Sequence, residues 1–221
     1  MFGGLSNANT GRIGWLLLLA VVWGAAPALA QSYLVEDKEA YSKALKGLQP
    51  GDELVLANGV WQDIDMVFEG VGRADAPISL VAETPGKVFL SGHSSLSLGG
   101  EHLVVRGLTF NNGHSTKKSA IAFRTESGRL ANNTRLTEIV IDSFNKSRRP
   151  EEDQWIALSG QNNRIDHSYF AGKTNKGPTL IVRLDSEDSR DNGHVIENNF
   201  FGHRPTIGCL LYTSPSPRDR G

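Results

Sequence analysis

The chain has 221 residues, a formal net charge of −1 and one cysteine. Its length allows one or two domains. The near-neutral charge gives no argument for nucleic acid or a membrane surface, and a lone cysteine excludes a disulfide-stapled scaffold.

The first segment differs from the rest. Arg12 precedes an apolar run from Ile13 to Gly24, and the small-residue ending Ala28-Leu-Ala30 follows. That is the layout of a secretory signal peptide, with cleavage expected after Ala30 and a periplasmic or secreted product. The run is shorter than the roughly 20 apolar residues of a membrane span, so no membrane contact is expected after cleavage. Residues 36–48 then read as a short helix: acidic residues open it, Tyr41, Ala44, Leu45 and Leu48 share a face, and Gln49-Pro-Gly-Asp52 stops it. Its expected task is to cap an end of the fold.

Strands are expected over residues 53–57, 61–68, 78–82 and 87–90, separated by Asn58-Gly59, the glycines at 70 and 72, and Glu83-Thr-Pro-Gly86. Residues 91–100 read as a Gly/Ser corner, and 180–184 as a further strand. The charged stretches 148–153 and 186–192 read as solvated loops.

One hexad recurs through the second half: Val105-Arg-Gly-Leu-Thr-Phe110, Ile139-Val-Ile-Asp-Ser-Phe144, Ile165-Asp-His-Ser-Tyr-Phe170 and Ile196-Glu-Asn-Asn-Phe-Phe201. Short strands recurring at a period of roughly 20–50 residues indicate a solenoid. The expectation is one all-β domain over residues 31–208, a right-handed parallel β-helix with the short helix as its N-terminal cap. Val105, Ile139, Ile165 and Ile196 should stack inward, and the hexad-ending aromatics should form an internal column. Four Asn-Asn pairs, at 111, 132, 162 and 198, suit sharp corners because asparagine tolerates left-handed backbone. Their differing frames argue against one continuous amide ladder.

Residues 209–221 break this composition. The run Cys209-Leu-Leu-Tyr-Thr-Ser-Pro-Ser-Pro-Arg-Asp219 reads as the translation of a transposase adapter from shotgun DNA libraries. It is expected to pack on nothing, and Cys209 to carry no function.

From about Tyr33 to Gly208 the chain resembles the chondroitinase B-like polysaccharide lyases of family 6, which include alginate lyases. The resemblance is carried by Gly51-Asp-Glu-Leu-Val-Leu-Ala-Asn-Gly59, by Pro77-Ile-Ser-Leu-Val-Ala-Glu-Thr-Pro-Gly86, by Leu103-Val-Val-Arg-Gly-Leu-Thr-Phe110, and by the stretch from Asn163 through Ala171-Gly-Lys-Thr-Asn-Lys-Gly177. It implies a parallel β-helix that cleaves a uronate-containing polysaccharide by β-elimination. It also implies calcium held by an Asn and a Glu-x-Glu pair, a Lys base five residues on and an Arg acid on the next rung. No residue of this chain matches those positions, so neither a catalytic residue nor a metal ligand carries over. The chain is accordingly expected to be an incomplete lyase domain, inactive alone, whose catalytic rungs would follow Gly208.

Four basic residues remain as candidates for lining an anionic sugar cleft: Lys173, Arg183, His203 and Arg204. Each follows a strand end or sits in the last rungs, and cations suit a polyuronate groove. The competing reading is an ordinary solvated surface. His114 and His167 read as turn or surface residues. The expected ligand is alginate, with dermatan sulfate as the alternative substrate and a non-catalytic carbohydrate-binding β-helix as the alternative role. A solenoid hydrolase would need paired carboxylates on neighbouring rungs, for which Asp166 and Glu197 are the candidates.

Overall fold

The computed structural model describes residues 30–148, 150–184, 191–203 and 210–214. Nearly all of the proposed signal segment, together with Arg204 and Cys209, lies outside the described residues.

Asp37 accepts the N–H of Ala40 at 2.8 Å and caps helix α1 (Lys38–Leu45). The helix is shorter than residues 36–48 because that cap fixes its start and Lys46 is its C-cap. It packs on β1 (Ser32–Val35) and β2 (Glu53–Leu56), and its buried Tyr41 donates to the Val67 carbonyl at 2.9 Å. It thus covers the apolar end of the coil, as a cap should.

The chain winds as a parallel β-solenoid with three sheets. The first holds β1, β2, β5 (Ile78–Ala82), β8 (Leu103–Arg106), β12 (Arg135–Thr137), β15 (Arg164–Asp166) and β18 (Val195–Glu197). The second holds β3 (Gly59–Gln62), β6 (Val88–Gly92), β9 (Leu108–Gly113), β13 (Val140–Asp142), β16 (Tyr169–Ala171) and β19 (Phe200–Phe201). The third holds β4 (Asp65–Val71), β7 (Ser95–Glu101), β10 (Ser119–Ala122), β11 (Ala131–Asn132), β14 (Gln154–Leu158), β17 (Leu180–Arg183) and β20 (Leu211–Ser214).

Strand alternation places one apolar column per sheet inside the coil. Leu54, Leu80, Val105, Leu136, Ile165 and Ile196 are in register along the first sheet. Met66, Leu96, Ile121, Ile156 and Leu180 line the third, and all five are fully buried. Burying each such side chain contributes roughly 1.5–3 kcal/mol.

Two expectations about these columns need correction. Ile139 does not join Val105 and Ile165; Leu136 does. The true repeat therefore falls at 105, 136, 165 and 196, or 31, 29 and 31 residues apart. The slip arises because Leu136 and Ile139 are both apolar, so a three-residue shift preserves the hexad pattern. Ile139 is also fully buried, just past the corner, where its N–H donates to Ser168 Oγ at 3.1 Å. The aromatic column is also interrupted: along the second sheet the register reads Phe110, Ile141, Phe170, Phe201. Phe144 packs edge-on to Phe110 from outside that column, at 5.6 Å.

The corners follow the asparagine expectation. Asn112, Asn133, Asn162 and Asn198 all take positive φ. The corner joining the first and second sheets uses a left-handed residue in every late turn: Gly107, Glu138, His167 and Asn198, with φ of 79°, 54°, 49° and 53°. Buried Asn163 ties two turns together, accepting the Thr134 N–H at 2.9 Å and donating to Ala131 and Ser159 carbonyls at 2.8 Å each.

Residues 91–100 are not simply a corner; β7 occupies 95–101, paired with β4 along its whole length. Gly100 permits this closeness, since a Cβ there would lie 1.8 Å from the Gly70 carbonyl oxygen. The 148–153 loop is not wholly solvated either, for Asp153 is buried. Residues 211–214 form β20 in parallel register with β17, contrary to the expectation that the tail packs on nothing. The outer strand of a parallel sheet presents unpaired N–H and C=O groups, and Leu-Tyr-Thr has the β-propensity to pair with them. Leu211 and Tyr212 nonetheless remain about half exposed.

Candidate functional site

The third sheet carries a groove of about 340 Å³ on its outer side. Small residues floor it, among them Ser97, Ala122 and Ala157, each from a different strand. Four cations border it: Lys117, Lys118, Arg124 and Arg183. The floor is low because these strands place Ser and Ala where other sheets carry longer side chains. The rim is high because residues 124–130 leave the coil as a hairpin, closed by the Arg124–Leu130 bridge.

Arg183 ends β17, and its Nη2 donates to Gln154 Oε1 at 3.1 Å. Ser119 Oγ donates to the same oxygen at 3.2 Å. One amide thus orients the guanidinium from two strands. Lys117 Nζ lies 2.6 Å from Asp65 and 2.9 Å from Glu126. Partial burial alone would lower its pKa, but these two carboxylates hold it above the ordinary lysine value, so it stays cationic at neutral pH.

The four candidate residues do not converge. Arg183 lines the groove. His203 is exposed after β19 on the second sheet, where its carbonyl accepts the Gly172 N–H at 3.3 Å. Arg204 lies outside the described residues. Lys173 is 1% exposed and faces inward, paired with Asp153, with its Nζ 5.5 Å from the Trp155 ring centroid. Its expected place on a sugar-binding surface is therefore corrected: a polymer outside the coil does not reach it. Loop packing caused the miss, since Gly172 takes positive φ and the side chain that follows turns in against Asp153 and Trp155.

Lys117, Lys118 and Arg124 were not singled out by sequence, because they flank a strand, Ser-Ala-Ile-Ala, that has no alternating pattern. Asp166 and Glu197 are in register one turn apart, but both are bound to Arg164. Burial alone would raise the pKa of Asp166; hydrogen bonds from Thr137, Arg135 and Arg164 instead hold its carboxyl well below the usual range. A permanently ionised, arginine-bound carboxylate is unsuited to acid–base exchange. His93 and His114 meet edge to face, with centroids 4.7 Å apart, at another corner. Among the described residues no group of three or more His, Cys, Asp or Glu could hold a metal ion.

Comparison with known proteins places this geometry. The family model for chondroitinase B matches residues 35–210. The chain superposes on the family 6 alginate lyase AlyGC with 44% identity and a TM-score of 0.79, covering 83% of this chain and 26% of that one. A mannuronic acid specific family 6 lyase from human gut microbiota matches at 35% identity and TM-score 0.77, over 83% of this chain and 44% of that one. The family 6 lyase Pedsa3628 from Pseudopedobacter saltans matches at 26% identity and TM-score 0.72, over 88% and 43%. No curated protein matches. The chain spans 26% to 44% of the length of these solved relatives. By the extent of the family match and the shared fold, this chain belongs to the chondroitinase B family.

Proposed function

We propose that these rungs are part of a polysaccharide lyase that cleaves a uronate polymer, alginate rich in mannuronate, by β-elimination. The observation that carries the reading is the 44% identity with an alginate lyase over 83% of this chain. The mannuronic acid specificity of a second relative supports the choice of polymer. The cation-bordered groove is compatible with it, since a polyuronate presents a carboxylate on every sugar.

In that reaction a base removes the proton α to the uronate carboxylate while the carboxylate charge is neutralised, and the glycosidic oxygen leaves from the β carbon. This chain's share is binding and orientation. Arg183, held by Gln154, offers a planar fork to a uronate carboxylate. Lys118 supplies a mobile point charge, and the low floor of Ser and Ala lets the sugar ring approach the sheet. No chemical step is assigned to the described residues. Export belongs to the same proposal: residues 1–30 direct the protein to the periplasm or the medium, where such polymers occur.

Dermatan sulfate is the second, less supported substrate, kept because the family description is that of a chondroitinase. Both are tested by titrating the 221-residue chain with oligomers of mannuronate and of dermatan sulfate, beside Arg183→Ala. Mannuronate binding that weakens in the variant is expected. Binding to neither polymer, or equal binding by both proteins, would overturn the groove reading. Preference for dermatan sulfate would replace the substrate.

A further inference from the structure

The two carboxylates on Lys117 are held very differently. Asp65 sits on β4 and also accepts a hydrogen bond from Ser95 Oγ, so the sheet fixes it. Glu126 rides on the hairpin tip, and its side chain is 78% exposed against 24% for Lys117. The hairpin itself is well made: Thr125 N–H donates to Arg129 O and Gly128 N–H to Thr125 O, both at 3.0 Å. It therefore carries Glu126 over the groove as a unit. The Lys117 Nζ is covered, whereas the Glu126 carboxylate stands open to solvent and is the partner that another carboxylate can replace.

A uronate carboxylate is the same chemical group as the Glu126 side chain, and a polymer bearing it would gain Lys118 and Arg183 in the same groove. Glu126 cannot match that second contribution. We propose that Glu126 holds the place of a uronate carboxylate on Lys117, making the 124–130 hairpin an acidic latch that a polyuronate displaces on entering the groove. The inference rests on the groove being a uronate-polymer site and names the position of one sugar carboxylate within it. Asp65 stays on Lys117 throughout and keeps the ammonium aimed at the incoming group. A neutral polymer has nothing to exchange with Glu126 and is refused the position.

The test is a double-mutant titration with hexamannuronate, using the full chain and checking each variant for unchanged thermal unfolding. Glu126→Gln is expected to bind about two- to fivefold more tightly than the parent. Lys117→Gln is expected to bind more weakly, and Glu126→Gln added to it to give no further gain. A gain that persists in the Lys117→Gln background would show a general charge effect and overturn the latch. So would parent-like binding by Glu126→Gln alone. If parent binding is lost in Arg183→Ala but indifferent to residue 126, the latch falls and the groove stands. If no protein binds the oligomer, both fall.

Discussion

Arg135 reaches from one turn of the coil to the next and donates its Nε to both carboxylate oxygens of Asp166, at 3.2 and 3.0 Å. Arg164, in register with Arg135, donates to the same group at 2.6 Å. Two guanidiniums one rung apart would repel; the buried carboxylate between them makes the stack favourable. Asp166→Asn should cost about 1.5–3 kcal/mol, the range for hydrogen bonds to charged groups. Urea unfolding would read it as a lower midpoint with an unchanged slope. Because the folded carboxyl titrates below its unfolded value of roughly 3.9, this stability is complete at neutral pH and is lost as the pH falls below that value.

His194 provides a second pH dependence in a different window. Burial pushes its pKa down from 6.5 to about 4, and its Nδ1 accepts the Asn163 N–H at 3.2 Å. The unfolded chain therefore binds a proton between pH 6.5 and 4 that the folded chain refuses. Stability should rise with pH through that window and fall as it is acidified. His194→Gln should flatten the slope of unfolding free energy against pH between those limits.

Lys173→Met should destabilise by about 3–5 kcal/mol, because it leaves the Asp153 carboxylate buried without its cation. Adding Asp153→Asn should recover much of the loss, since the pair is then removed rather than broken. Differential scanning calorimetry of the two single variants and the double would check this. A milder single variant than double would contradict it.

At the left-handed corner, His167→Asn should stabilise by up to about 1 kcal/mol, since asparagine adopts the conformation at lower cost than histidine. The side chain of His167 is 56% exposed, so little packing is lost. Asn163→Ala in the neighbouring corner should do the reverse, by about 3 kcal/mol. It strands the buried Thr134 N–H and two carbonyls. Parallel thermal melts of both variants would order them.

The repeat was legible where one strand face is buried and one is solvated. Each hexad is opened by an inward aliphatic residue and, at Phe110, Phe170 and Phe201, ends on an aromatic of the second sheet, and the asparagine pairs mark real corners. Register was less legible, because Leu136 and Ile139 satisfy the same pattern and only cross-strand pairing distinguishes them. The third sheet was legible only in part: the strands expected over 61–68 and 180–184 overlap β4 and β17, while β10 and β14 were not read. In β14 every residue is buried, so hydropathy carries no period-two signal there. That sheet bears the groove, and Arg183 was found at a visible strand end while Lys117 and Lys118, beside the unread β10, were not. The fate of Lys173 depends on a loop closing over it, a tertiary event with no local signature.

Several corners are finished by side chains that come later in the chain. The Ile64 N–H is satisfied by Ser94, the Thr134 N–H by Asn163, the Ile139 N–H by Ser168 and the Ser168 N–H by Asn199, across separations of 29 to 31 residues. During synthesis each turn consequently leaves the ribosome with an open donor that only the following turn can close. At 5–20 residues per second the wait is roughly 2–6 s per turn. Growth of the coil is thereby directional: the α1-capped end sets first, and the newest turn is always the least secure.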